Sequence, residues 1–215
     1  MVTTPSAVQS DIVQSWMRES AADVRLNADH LTQLDSAIGD GDHGINMNRG
    51  FEAVGKALAA QDATLAPGRL LVVAGKTLVS TVGGASGPLW GSFFRAAGRS
   101  LGDEPSPDGA ALQEALAAGV AAVRDLGAAG LGDKTMVDAL EPAVEAMGAA
   151  LAGGEAVAIA LDRGAAAAEA GARATVPLQA RKGRASYLGE RSIGHEDPGA
   201  ASAALILRAL ARAAG

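Results

Sequence analysis

The sequence predicts an all-α protein, and three observations carry that expectation. Alanine, the strongest helix former, is abundant almost throughout, while aromatic residues, which strands favour, make up only 3% of the chain. Apolar residues recur at spacings of three and four rather than in alternation. Glycine, proline and aspartate fall between these runs, where helices start and stop. Only Leu70 to Ala74 reads ambiguously between strand and helix. With 215 residues, 48% of them hydrophobic, and no dividing linker, the chain is expected to bury its core as one domain spanning 1–215.

The elements follow in order. Val8, Ile12 and Trp16 share a helical face after Pro5, a residue suited to a first turn. A second helix runs from an Asn27 cap to about Ile38, burying Leu31, Leu34 and Ile38, and Gly39 stops it. Further helices are expected at 45–61, 67–81, 88–101, 108–126, 134–151, 155–174 and 198–214. Their boundaries are marked by Pro67, Pro88, Asp108, Asp133, Gly153-Gly154 and Pro198. Nine helices result.

Composition removes several function classes. Without cysteine there is no disulfide, and a net charge of −6 argues against a general nucleic-acid binder. The start, Met1-Val2-Thr3-Thr4-Pro5, lacks the basic and apolar parts of a signal peptide. Leu70 to Ala74, the longest aliphatic run, falls far short of the ~20 residues that span a bilayer. The expectation is a soluble, cytoplasmic protein with no membrane partner.

The connections differ in character. Those near 25–27, 62–66, 102–107 and 152–154 read as ordinary turns. Four others are rich in glycine and small polar or charged residues: Gly39 to Gly44, Gly83 to Gly87, 127–133, and Arg181 to Asp197. If consecutive helices alternate in direction, these four follow every second helix and gather at one end. Helix N-termini there would present N–H groups and positive dipole to an anion.

Asp35, Asp40 and Asp42 form the sharpest constellation in that set. Asp35 ends a helix, where a carboxylate is disfavoured, and the other two sit on a glycine-flanked turn. Converging carboxylates repel unless a cation lies among them, and hard oxygen ligands suit Mg²⁺ or Ca²⁺. The alternative is a solvated acidic turn. Three superficial motif matches fail. Gly39 to Gly44 fits G-x-G-x-x-G but follows a helix instead of a strand. An EF-hand starting at Asp40 would put Phe51 where its bidentate glutamate belongs. Gly75-Lys76-Thr77 resembles a P-loop end, yet Leu70 replaces the first glycine.

The remaining connections support either of two readings. Gly83-Gly84-Ala85-Ser86-Gly87 leads into Pro88 and is a phosphate-approach loop or a tight turn. Asp133-Lys134-Thr135-Met136 reads as a structural cap followed by a helix. Arg181 to Arg191 is basic and glycine-spaced, either functional or a solvated connection, and it leads to an Asp197 cap with Pro198 at the first helical position. His30 reads as a helix-surface residue. His43 stands beside the carboxylates, where it could meet phosphate or a transferring group, and His195 could pack on its own loop. Together the parts describe a metal–polyphosphate site. Three carboxylates and an ADP of about −3 balance two Mg²⁺ to within roughly two charges. A nucleotide clamp is favoured over a metallohydrolase.

Leu34-Asp35 and Gly39-Asp40-Gly41-Asp42-His43-Gly44-Ile45-Asn46-Met47 also resemble the signature of the dihydroxyacetone kinase ADP-binding (L) subunit family. The resemblance continues in Gly83 to Leu89, in Gly132 to Met136, in Gln179 to His195 and in Asp197 to Ala200, in family order over essentially the whole chain. It implies an up-and-down barrel of about eight antiparallel helices. It further implies two Mg²⁺ held by Asp35, Asp40 and Asp42 on a bound ADP or ATP. His43, Gly44, Ile45, Asn46, Ala85 and Ser86 would meet the phosphates; Gly127, Met136, Arg184, Asp197, Pro198 and Gly199 would complete the pocket. Arg184 is the expected catalytic side chain, steadying the transferring group.

In this family a separate K subunit holds the ketose through a covalent link to a histidine. In its phosphotransferase-system version, an M subunit recharges the bound nucleotide in place, with phosphoenolpyruvate as the ultimate donor. The resemblance thus implies a kinase subunit delivering a γ-phosphoryl group to dihydroxyacetone, with a transcription regulator and a homodimer as further partners. The alternatives are a subunit of an ATP-dependent kinase for another short ketose and a nucleotide-sensing regulatory module.

Overall fold

The computed structural model describes residues 10–62 and 64–215. Among them are nine α-helices: α1 Ser10–Leu26, α2 Ala28–Ile38, α3 His43–Ala59, α4 Pro67–Thr81, α5 Ser86–Leu101, α6 Gly109–Gly127, α7 Val137–Ala152, α8 Val157–Ala174 and α9 Pro198–Ala213. A 3-10 helix, Arg184–Ser192, lies in the long connection expected to be irregular. Leu70 to Ala74 is helical, with Leu70, Leu71 and Ala74 buried in the core. Pro5 and Val8 lie outside the described residues; Ile12 and Trp16 are buried on α1 as their spacing predicts.

Asn27 does not cap α2. Its side-chain amide donates to Asp23 O at 2.9 Å, and helical bonds run through it, from Asn27 N to Asp23 O and from Leu31 N to Asn27 O. The chain bends there without reversing, so α1 and α2 form one rod flanked by α3 and α9. That reconciles nine helices with eight walls. Each wall packs on its chain neighbour, and α9 returns to α1, closing an antiparallel helical barrel.

The interior explains the composition. Trp16, Phe51, Trp90, Phe93 and Phe94 pack as one cluster of tilted, edge-on and stacked rings, all 0–1% exposed. Trp16 Nε1 donates to Ile206 O at 2.8 Å, tying α1 to α9 where the barrel closes. Elsewhere small residues let backbones approach. A Cβ on Gly68 or Gly98 would fall 2.3–2.6 Å from carbonyls of the facing helix, so α4 and α5 meet at van der Waals distance. Gly75, in the P-loop look-alike, sits 2.8 Å by the same measure from Gly91 O and serves this packing.

Alternation of direction places the α2–α3, α4–α5, α6–α7 and α8–α9 connections at one end, and all four line a single cavity of about 440 Å³. Among the described residues no helix is long and apolar enough to cross a membrane.

Candidate functional site

The three carboxylates converge because the α2–α3 turn folds back onto Asp35. Asp35 Oδ2 accepts the Asp42 N–H at 2.9 Å and the His43 N–H at 3.2 Å, so the first turn of α3 is anchored on the last turn of α2. The helix therefore starts at His43, two residues ahead of the sequence expectation. One oxygen each from Asp35, Asp40 and Asp42 lies within 4.8 Å of the others. Asp35 is buried, while Asp40 and Asp42 are open to the cavity mouth. Such a cluster of hard oxygens, partly open so that water and phosphate oxygens can complete a shell, suits Mg²⁺. Arg184 pairs with Asp40 Oδ2 at 3.0 Å, bringing the basic connection onto the acidic turn.

Three further helix starts reach the same cavity. Helix α5 begins at Ser86 instead of Pro88, and Pro88 fits in its first turn because no partner for its nitrogen is required there. His43 is buried between two hydroxyls, with Nδ1 3.2 Å from Ser86 Oγ and Nε2 2.9 Å from Ser202 Oγ, which joins α3, α5 and α9. Burial holds its imidazole below the usual histidine range against the pull of the Asp35 and Asp42 carboxylates. Asp197 caps α9 by accepting the Ala200 N–H at 2.7 Å; burial pushes its carboxyl up to about 7. Asn46 lines the cavity beside Gly83, and its Oδ1 accepts from Arg49 at 2.8 Å, which turns the amide donors away from Arg49.

Helix α7 begins at Val137, later than expected, and Asp133 does not cap it. Asp133 accepts the Gly130 N–H at 2.9 Å, while Asp138 accepts the Thr135 N–H at 2.8 Å and that of Gly132. The intervening Lys134 takes a left-handed backbone that ends any helix running through it. The opposite wall of the cavity is apolar: Leu89 of α5, Val123 and Leu126 of α6, and Met136 with Val137 at the start of α7. A polar, acidic end and an apolar slot thus share one cavity.

Thirteen of the residues singled out by sequence border that cavity, the carboxylates included: Asp35, Asp40, Asp42, His43, Asn46, Ala85, Ser86, Gly127, Met136, Arg184, Asp197, Pro198 and Gly199. Gly44 and Ile45 do not. Gly44 faces α2, where a Cβ would fall 1.9 Å from Ala28 O, and the Ile45 side chain is 61% exposed. Helical rotation explains both, since residues 43 and 46 share the inward face.

The chain matches the DAK2 domain over residues 37–212. It belongs to the DAK2 domain family. A family relative from Escherichia coli (strain K12), the ADP-binding subunit of a PEP-dependent dihydroxyacetone kinase, is 43% identical over 94% of this chain and 96% of its own length. The ADP-binding subunit of a PTS-dependent dihydroxyacetone kinase from Lactococcus lactis is 37% identical, covering 93% and 95%. The dihydroxyacetone kinase of C. freundii, solved in complex with AMP-PNP and Mg²⁺, superposes with a TM-score of 0.69 at 28% identity. That superposition covers 99% of this chain and 36% of that one. Within the DAK2 match lie all the cavity residues named above except Asp35, two positions before it. Leu89 and Lys134 lie in the blocks Gly83 to Leu89 and Gly132 to Met136 without being singled out as site residues, and Val123 and Leu126 lie in no block. No local signal marks them, because their spacing is the spacing of ordinary core and cap residues.

Proposed function

We infer that this chain is the ADP-binding, phosphoryl-transferring subunit of a phosphoenolpyruvate-dependent dihydroxyacetone kinase. One observation carries the reading: three carboxylates, from the last turn of α2 and the α2–α3 connection, face a cavity that four helix N-termini also reach. Near-complete coverage of the ADP-binding subunits supports it.

In this reading residues 1–215 act as one nucleotide-binding unit in the cytoplasm. Asp35, Asp40 and Asp42 hold two Mg²⁺, which neutralise the phosphate chain during transfer. Leu89, Val123, Leu126 and Met136 take the base, with Gly127 leaving the slot open at its rim. Phosphoryl transfer needs positioning and charge neutralisation more than a covalent nucleophile, and the remaining residues supply these. His43 is held neutral and fixed between Ser86 and Ser202, so it keeps the α5 start against the phosphates without adding charge. The Asn46 amide and the Ala85-Ser86 backbone offer donors. The Asp197-Pro198-Gly199 turn aims the α9 start at the same space. Arg184, with its side chain 70% exposed, is placed at the mouth to steady the group leaving for the ketose.

The acceptor is dihydroxyacetone on a separate K subunit, and an M subunit of the phosphotransferase system restores the nucleotide in place. A transcription regulator and a second copy of the chain are further partners. The test combines the purified chain with its K and M partners. Dihydroxyacetone phosphate should form over many turnovers with phosphoenolpyruvate as donor and one equivalent of ADP. Sustained turnover with free ATP in the absence of M would overturn the phosphoenolpyruvate-linked reading.

A further inference from the structure

Lys134 combines two features foreign to a solvent-facing turn lysine. Its side chain is buried, at 1% exposure, and its backbone is left-handed with φ of 62°, a conformation glycine adopts without strain. Burying an ammonium is costly unless its N–H groups are bonded. Two of them are. Lys134 Nζ donates to Thr175 O at 2.7 Å and to His195 O. Those carbonyls stand at the two ends of the long α8–α9 connection. The same stem is stitched by Gly194 N donating to Val176 O at 2.8 Å and by Asp197 N donating to Thr175 Oγ1 at 2.9 Å. Arg181 N donates to Asp133 O at 3.0 Å, beside Lys134 itself. Beyond its stem, this connection carries Lys182 to Ala185 along the cavity and ends in the Asp197 turn.

We propose that Lys134 is a positioning residue for phosphoryl transfer: its ammonium staples both ends of the 175–197 connection to the α6–α7 connection. It thereby holds Arg184 and the Asp197 turn in register with Asp35, Asp40 and Asp42. A left-handed non-glycine backbone persists where the surroundings over-determine it, and here the side chain provides the reason. Glycine would relieve the backbone and lose the staple. The consequence for catalysis rests on the nucleotide site proposed above, whereas the staple itself does not.

Lys134→Gly separates the two roles. If the position served only the turn, this variant would keep wild-type behaviour. The staple predicts that, in nucleotide-free protein, amides of 176–197 exchange hydrogen at least tenfold faster in Lys134→Gly and Lys134→Met, while those of α4 and α5 are unchanged. It also predicts at least tenfold weaker ADP binding in Mg²⁺. Wild-type exchange and affinity in Lys134→Gly, or acceleration spread evenly over the chain, would overturn the proposal. Should both variants fail to fold, the wild-type protein decides. The Arg181, Gly194 and Asp197 amides must then be protected and open together, and exchange at unprotected rates would overturn it. A wild-type protein that binds no ADP would instead defeat the proposed function, leaving the exchange result to judge the staple.

Discussion

Asp35 has two duties that substitution can separate. Its Oδ2 accepts the Asp42 and His43 N–H groups, so Asp35→Ala strands one part-buried and one buried donor, at a cost of about 1–3 kcal/mol. Asp42 contributes an exposed carboxylate to the same cluster. Asp42→Asn should therefore leave the thermal midpoint of the nucleotide-free protein unchanged or raise it, since one of three repelling charges is gone. It should still weaken Mg²⁺-dependent ADP binding at least tenfold. Asp35→Ala should lose both stability and binding, and calorimetry of the two variants checks the contrast.

Titration offers a second residue-scale test. The Asp197 carboxyl, raised to about 7 by burial, holds in the folded state a proton that the unfolded chain releases near pH 4. Its contribution to stability is complete below about pH 4 and is lost as pH rises through about 7, up to about 4 kcal/mol. His43 works in the opposite sense: its depressed imidazole stabilises above the ordinary histidine range and loses that contribution as pH falls. Asparagine at 197 can accept the Ala200 N–H without titrating. The midpoint of wild type minus that of Asp197→Asn should fall between about pH 4 and pH 7. A difference flat with pH would contradict the buried-acid account.

Among the elements, helix starts divide into those that build the site and those that only end a helix. Asp108 caps α6 at the far end, accepting the Ala111 N–H at 2.8 Å. Asp108→Ala should cost about 1 kcal/mol in denaturant unfolding and leave ADP binding unchanged. Gly44 lies at the site end, and its Cβ would collide with the Ala28 carbonyl. Gly44→Ala should force α2 from α3, costing about 1–3 kcal/mol and weakening ADP binding as well. The same division sets what could be read from sequence. Asp108 and Asp197 cap where the pattern says they do. The starts of α3, α5, α7 and α8 differ from the expected positions by two or three residues; α8 starts at the far end, whereas the other three border the cavity. There the chain follows bonds from distant groups, such as Asp35 to His43 N, that local propensity does not register.

For the whole molecule, the order of helices was enough to predict that four connections share one end, because antiparallel neighbours leave no other arrangement. What stayed hidden depends on rotation and closure. Asn27 has the chemistry of a cap, yet it sits inside a bent rod because α3 and α9 pack on both halves. Val123 belongs to the core itself and Leu89 packs against it, so spacing alone does not set them apart as cavity lining. Lys134 follows an aspartate in a polar turn, and nothing in that context foretells a buried ammonium.

The α2–α3 turn, folded back onto Asp35, holds three repelling carboxylates within reach of one another, and the account requires cations and a diphosphate to make that arrangement favourable. Crystals grown with ADP and Mn²⁺ in place of Mg²⁺ test this most directly through anomalous scattering. The account predicts manganese peaks bounded by Asp35, Asp40 and Asp42 and in contact with the diphosphate oxygens. Ordered ADP with no anomalous peak at those carboxylates would contradict it.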